Sequence, residues 1–182
     1  INPTESFQKA LLQASNLVDQ SPDRLVTFGI RPSNPSSSYG YIQQGETLPH
    51  EKDDAPVHRV AQFREKPPVD IAKGYLAAGT FLWNAGIFVW RAKTIIDALA
   101  EHQPVCLEHL RRIADNWETP RCNEVFSEEF AAINGVSIDY AVLEHATEVA
   151  VIEAPFTWDD LGGWSAVARQ RGQDENGNTV VG

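Results

Sequence analysis

Thr80-Phe81-Leu82-Trp83-Asn84-Ala85-Gly86-Ile87-Phe88-Val89-Trp90 is the most apolar stretch of the chain, and its reading decides the fold. Its aromatic and β-branched content suits a central strand, interrupted at Asn84-Ala85-Gly86. A polar amide inside such a strand must find partners or stay desolvated at a cost of about 1–3 kcal/mol. One solution is a bulge that presents Asn84 to a ligand. The other is bonding of Asn84 to neighbouring backbone groups, and the sequence leaves both open.

Outward from this strand the pattern turns helical. Val69 to Ala77 is helix-like, with Gly79 as its stop. On the other side, Ala92 to Glu101 is a helix with Ile95, Ile96, Leu99 and Ala100 inward, and Pro104 starts a second helix at once. Residues 120–135 form a weaker helical segment, and Asp139 to His145 is helical. Near the N-terminus Thr4 caps a helix in which Phe7, Leu11, Ala14, Leu17 and Val18 recur at helical spacing. Ser21-Pro22-Asp23 breaks it, and Leu25-Val26-Thr27-Phe28-Gly29-Ile30 follows as a strand.

Residues 31–38, RPSNPSSS, read as a polar loop. Tyr39-Gly40-Tyr41-Ile42 starts a strand, with Gly40 where a ligand or a second backbone can come close. A polar turn spans 45–56. Val57 to Phe63 is a strand with Val57, Arg59, Ala61 and Phe63 on one face. Val149 to Ala154 is a strand, Trp158 to Trp164 a loop, Trp164 to Gln170 a short helix, and DENGNTVVG a turn into a strand. Helices alternating with apolar strands imply an α/β layered domain. There is no internal repeat and no linker, so 1–182 reads as one unit.

Composition excludes several classes. Hydrophobic residues make up 42% and charged residues 22%, which rules out whole-chain disorder. The formal charge of −10 argues against a general nucleic-acid partner. No apolar run approaches the ~20 residues of a membrane helix, so no membrane partner is expected. Cys106 and Cys122 form no CxxC pair and fit reduced thiols in a cytoplasmic protein.

Three segments carry candidate chemistry. Glu65-Lys66-Pro67 ends a strand at a residue of fixed φ, which holds both side chains in a defined direction. Lys66 is a compact charge suited to one phosphate, and Glu65 can accept from sugar hydroxyls. The plainer reading is a solvated strand end with an ordinary charge pair. Trp158-Asp159-Asp160-Leu161-Gly162-Gly163-Trp164 offers carboxylates of the kind Mg²⁺ takes together with substrate phosphates. Its plainer reading is a helix N-cap ahead of WSAVARQR. His102, Cys106 and His109 share a helical face, but Pro104 interrupts it and the spacing matches no standard zinc site. No GxGxxG, no GxxxxGK[ST] and no nucleophile triad occur.

Taken in order, LVTFGIRP, YGYI, FREKP, GTFLWNAGIF, SIDYAVLE and WDDLGGW resemble the bacterial mannose-1-phosphate guanylyltransferases, sugar nucleotidyltransferases. The likeness runs from about Phe7 to Trp164. It implies a Rossmann-like mixed-sheet nucleotidyltransferase core, of which 1–182 is the sugar-phosphate-binding portion with no internal boundary. It implies the reaction of GTP with mannose 1-phosphate to give GDP-mannose and pyrophosphate, with Mg²⁺. Carried over by residue, Lys66 holds the phosphate of mannose 1-phosphate. Glu65 and Asn84 bind mannose hydroxyls, Gly40 and Gly79 allow close backbone approach, and Asp139 lines the same pocket. Asp160 is the Mg²⁺ ligand, with Asp159 the weaker candidate.

The resemblance also implies segments that this sequence does not show. The Gly-rich signature around the nucleotide phosphates and an Asp-His motif are expected before Ile1, and a β-rich domain after Gly182. Ser37-Ser38 stands where the family more often has Thr-Gly. The expectation is therefore that the 182 residues alone bind weakly and without turnover, and that a homodimer is compatible with the family. Two alternatives remain: a pyrophosphorylase for another nucleotide sugar, and a non-catalytic sugar-phosphate-binding subunit.

Overall fold

The computed structural model describes residues 1–171 and 174–179. The strand expected at Val180–Gly182 lies outside the described residues. Helix α1 (Thr4–Gln20) leads into β1 (Leu25–Ile30), and β2 (Tyr41–Thr47) and β3 (Val57–Arg64) follow. Then come α2 (Val69–Ala78), β4 (Phe81–Val89), α3 (Ala92–His102), α4 (Pro104–Asp115) and α5 (Cys122–Ala132). A π-helical turn (Asp139–Leu143), β5 (Val149–Glu153) and α6 (Trp164–Arg171) complete the order.

The sheet is mixed, as expected of a nucleotidyltransferase core. The strands pair in a closed ring, β1-β4-β2-β3-β5. Strands β1 and β5 run parallel, from Leu25 opposite Val149 to Gly29 opposite Glu153. The other described pairings are antiparallel.

Helix α1 covers one side of the sheet. Its Ala10, Ala14, Leu17 and Val18 pack with Val26, Phe28, Ala150, Ile152 and Phe156. Its buried Gln13 clamps the loop before β3: Nε2 donates to the Ala55 carbonyl (2.7 Å), and Oε1 accepts the Ala55 N–H (3.2 Å). The π-turn covers the other side, packing Ala141, Val142 and Leu143 against Leu25, Ile42, Phe63, Leu82 and Val151. Helix α2 closes a third cluster of Tyr41, Ala72, Phe81 and Trp83, with Tyr75 stacked on Phe81 at 4.0 Å.

Four local expectations are corrected. The N-cap of α1 is Pro3, with Thr4 already inside the helix. Strand β2 continues to Thr47, because Thr47 still pairs with His58 of β3. On β3, the register slips where Gln43 opposes Gln62 and Gln44 opposes Val60. That bulge at Ala61 puts Val57 and Phe63 in different clusters, so they do not share a face. On α3, Ile95, Ala98 and Leu99 pack inward, whereas Ile96 and Ala100 are exposed.

Candidate functional site

The interruption at Asn84 is a bulge. Thr27 of β1 pairs with Phe88, and Gly29 pairs with Asn84, so β4 carries two extra residues between them. Gly86, at φ 67, makes the left-handed turn this needs. The bulge is present, and the Asn84 amide finds its partners within the protein. Its Oδ1 accepts from the buried Thr27 hydroxyl (2.9 Å) and from the Gly86 N–H (3.2 Å). Its Nδ2 donates to Asp139 Oδ1 at 3.0 Å.

Around this amide the structure brings together most of the expected residues. The Asn84 N–H donates to the Gly40 carbonyl (2.8 Å). A Cβ on Gly40 would lie 2.5 Å from Glu65 Oε2 and 3.4 Å from Asn84 Cβ, so only glycine leaves these side chains in place. The Glu65 carboxyl is 9% exposed and 3.3 Å from Lys66 Nζ. Burial first, and the Asp139 carboxylate next, push the Glu65 carboxyl above the usual range, against the pull of Lys66. The π-turn carries Asp139 into this cluster; such turns recur at functional sites.

Among the described residues, Lys66 and Leu161 are the two non-glycine residues with positive φ, 43° and 50°. Strained backbone of this kind concentrates at ligand sites. Here one strained residue lies in each of the two segments that the sequence singles out. Gly79 caps α2 in the left-handed conformation (φ 68), with open space where a Cβ would stand.

Asp160 belongs to a different hollow. With Asp159, Gly162, Gly163, Trp158, Tyr39 and Trp83 it lines a pocket of about 620 Å³, closed on one wall by Ser33, Asn34, Ser36 and Ser38. None of Gly40, Glu65, Lys66, Asn84 or Asp139 lines it. It adjoins their cluster through the chain neighbours Tyr39–Gly40 and Trp83–Asn84. Because adjacent strand residues face opposite ways, Trp83 and Asn84 serve different sides of β4.

Asp160 is exposed, and its Oδ1 accepts the Gly162 N–H (3.2 Å). Asp159 is half-buried, and its Oδ1 accepts the Leu161 N–H (3.0 Å). Among the described residues no three His, Cys, Asp or Glu side chains form a metal-holding group. The hard carboxylate oxygens of this loop fit a cation such as Mg²⁺, which takes one or two carboxylates and completes its shell from water and phosphate.

Sequence reasoning missed four contributors. Thr27, fully buried in an apolar strand, was legible as a polar residue in need of a partner. Glu144 accepts the Glu65 N–H (3.3 Å). Glu153 binds Arg31 (2.6 Å), Gln44 (2.7 Å) and His58 (3.2 Å), tying the end of β5 to the start of the 31–38 loop. Trp83 walls the pocket. The histidines whose spacing matched no zinc site have other partners: His102 faces His145, and His109 bonds Glu129.

A mixed sheet with helices packed on it thus carries a lysine at positive φ beside a half-buried carboxyl and amide cluster, next to an acidic loop. Residues 4–177 match the family model described as Nucleotidyl transferase, and the chain belongs to that family. The chain is 37% identical, over all its length, to a Mannose-1-phosphate guanylyltransferase of Klebsiella pneumoniae. It is 34% identical, again over all its length, to a protein of the same name from Sinorhizobium fredii. It spans 38% and 34% of those two relatives. A crystal structure described as mannose-1-phosphate geranyltransferase from Thermus thermophilus superposes with a TM-score of 0.75 at 32% identity. That match covers 93% of this chain and 46% of the other.

Proposed function

We propose that this chain is the sugar-phosphate-binding portion of a mannose-1-phosphate guanylyltransferase. The observation that carries the reading is Lys66, held at positive φ beside the Glu65–Asn84–Asp139 cluster. A cation next to carboxyl and amide groups suits a phosphate joined to a hydroxylated ring. The similarity to enzymes of that name supports the choice of sugar and nucleotide.

In this reading a phosphate oxygen of mannose 1-phosphate attacks the α-phosphorus of GTP in line. The new P–O bond forms as the bond to the β-phosphate breaks, and pyrophosphate leaves. No covalent enzyme intermediate is needed, so the residues act by position and charge. Lys66 Nζ holds the sugar phosphate. Asn84 Nδ2 donates to a mannose hydroxyl oxygen, and Asp139 accepts from a hydroxyl. Glu65 binds a mannose hydroxyl through its carboxyl group. Gly40 and Gly79 give the backbone room. Asp160, with Asp159 beside it, would hold Mg²⁺, which neutralises phosphate charge when bound.

Among the described residues no helix is long and apolar enough to cross a membrane. Both cysteines are free. A cytoplasmic setting is part of the same proposal and rests on the family resemblance. The family resemblance extends the proposal to a homodimer, which sedimentation of the full-length protein reads out.

The test is pyrophosphate release by the full-length protein that carries this chain, with Mg²⁺ and mannose 1-phosphate, comparing GTP, ATP, UTP and dTTP. Preference for GTP is expected. Preference for another nucleotide would move the protein to a sister specificity, and silence with all four would contradict catalysis.

A further inference from the structure

Thr27 is a fully buried polar residue in β1, whose other residues are Leu25, Val26, Phe28, Gly29 and Ile30. It pairs with Phe88 of β4 on one side and with Val151 of β5 on the other, a setting in which a valine of the same shape would pack. Packing therefore explains the branched side chain but not the hydroxyl, which a buried site must satisfy.

The hydroxyl goes to the bulge of β4. It donates toward Asn84 Oδ1 (2.9 Å) and toward the Ile87 carbonyl (3.1 Å), the two residues that flank Ala85-Gly86. A hydroxyl has one proton, so the two ends of the bulge share it. Asn84 Oδ1 also accepts the Gly86 N–H (3.2 Å), which holds the oxygen end of the amide at two points. The nitrogen end is left facing Asp139, to which it donates one hydrogen (3.0 Å). An amide nitrogen carries two hydrogens, and among the described residues the second has no partner. A turned amide would set N–H against the Gly86 N–H and an oxygen against the Asp139 carboxylate, so the partners at both ends decide its direction.

We propose that Thr27 is a positioning residue for sugar binding: its buried hydroxyl fixes the Asn84 amide so that an N–H, and not an oxygen, is presented to the ligand. The proposal rests on the reading above in which Asn84 donates to a mannose hydroxyl oxygen. Thr27 is fully buried and acts through Asn84. Without the hydroxyl, Oδ1 keeps only the Gly86 N–H, and the amide can swing about its last side-chain bond. Binding then loses the part that depends on the direction of the amide, while the Lys66 charge stays in place.

The test uses Thr27→Val, which keeps the shape and removes the hydroxyl, and Thr27→Ser, which keeps the hydroxyl and removes the methyl. In steady-state kinetics of the full-length protein, Thr27→Val is expected to raise the KM for mannose 1-phosphate roughly three- to tenfold, the worth of one misdirected hydrogen bond. The KM for GTP is expected to move by less than about twofold, and Thr27→Ser to restore the wild-type ratio of the two. ¹⁵N relaxation of the Asn84 side-chain amide, read without ligand, is expected to show an ordered amide in the wild type and in Thr27→Ser and a mobile one in Thr27→Val. A lower unfolding temperature for Thr27→Val, with the KM ratio and the order of the amide unchanged, would mark Thr27 as packing only and overturn the proposal. A rise of both KM values together would overturn it as well. Either result leaves the functional reading standing, because the wild type still turns over. A wild type that releases no pyrophosphate with any nucleotide brings down both. If Thr27→Val does not fold, Thr27→Ala carries the same expectation, and a mobile Asn84 amide in the wild type contradicts the proposal without any variant.

Discussion

The two sides of β4 at residues 83 and 84 are built differently. On the Asn84 side, Thr27, Asn84 and Asp139 are hydrogen-bonded to one another and to backbone, and half-buried Glu65 pairs with Lys66 and, through its N–H, with Glu144. On the Trp83 side, Asp159 and Asp160 sit on a Gly-rich loop, each turned onto an N–H of that loop. The first region is organised by the fold before any ligand arrives. The second is an open hollow with an unmatched donor in its wall. Changes on the Asn84 side should therefore disturb stability as well as binding, and changes in the Asp160 loop should disturb binding alone.

The largest expected effect is on the Asn84 side. Lys66→Ala removes a charge-assisted contact worth about 1.5–3 kcal/mol, so mannose 1-phosphate should bind roughly 10–100-fold more weakly. In steady-state kinetics of the full-length protein its KM should rise much more than that for GTP, and equal rises would break the assignment. Next comes Asn84→Ala. It strands the Gly86 N–H and removes one partner of the Thr27 hydroxyl, costing about 1–3 kcal/mol in denaturant unfolding. A neutral result would show that the bulge does not depend on this amide.

Glu65 sharpens the comparison through pH. Its carboxyl is raised in the folded state, first by burial and then by Asp139. The folded state thus holds the proton more tightly than the unfolded chain. Stability from this group is fully present below the ordinary glutamate pKa and declines as pH rises through the higher folded value. Glu65→Gln should remove that decline, measured as the difference between the two unfolding curves against pH. The smallest effect is expected for Asp160→Ala, within about 0.5 kcal/mol of wild type in unfolding. A larger loss would mean that the loop is part of the folded framework.

The regions also differ in how legible they are in the sequence. Apolar runs and Gly or Pro stops place nearly every element, because those signals are local. The two faces of β3 are misread because a one-residue slip at Ala61 reverses the alternation, and nothing in VHRVAQF marks the slip. Ile96 and Ala100 are misread because helical spacing alone does not say how wide the covered stripe of α3 is.

At the site, motifs name Glu65, Lys66, Asn84 and Asp139, and all four fall in or against one cluster. Glu144 and Glu153 cannot be named that way, since each acts through partners brought near only by the folded sheet. The motifs name Asp160 beside these residues but carry no sign that it lines a separate hollow. That separation comes from the strand itself, because Trp83 and Asn84, adjacent in sequence, serve opposite sides of β4.

The most direct test is a calorimetric titration of the 182-residue chain with mannose 1-phosphate in a chelator, so that no divalent cation is present. A site organised by the fold on the Asn84 side should bind under these conditions. Lys66→Ala should lose at least about tenfold in affinity, whereas Asp160→Ala should bind as wild type does. Binding that needs Mg²⁺ and Asp160, and that ignores Lys66, would contradict the account.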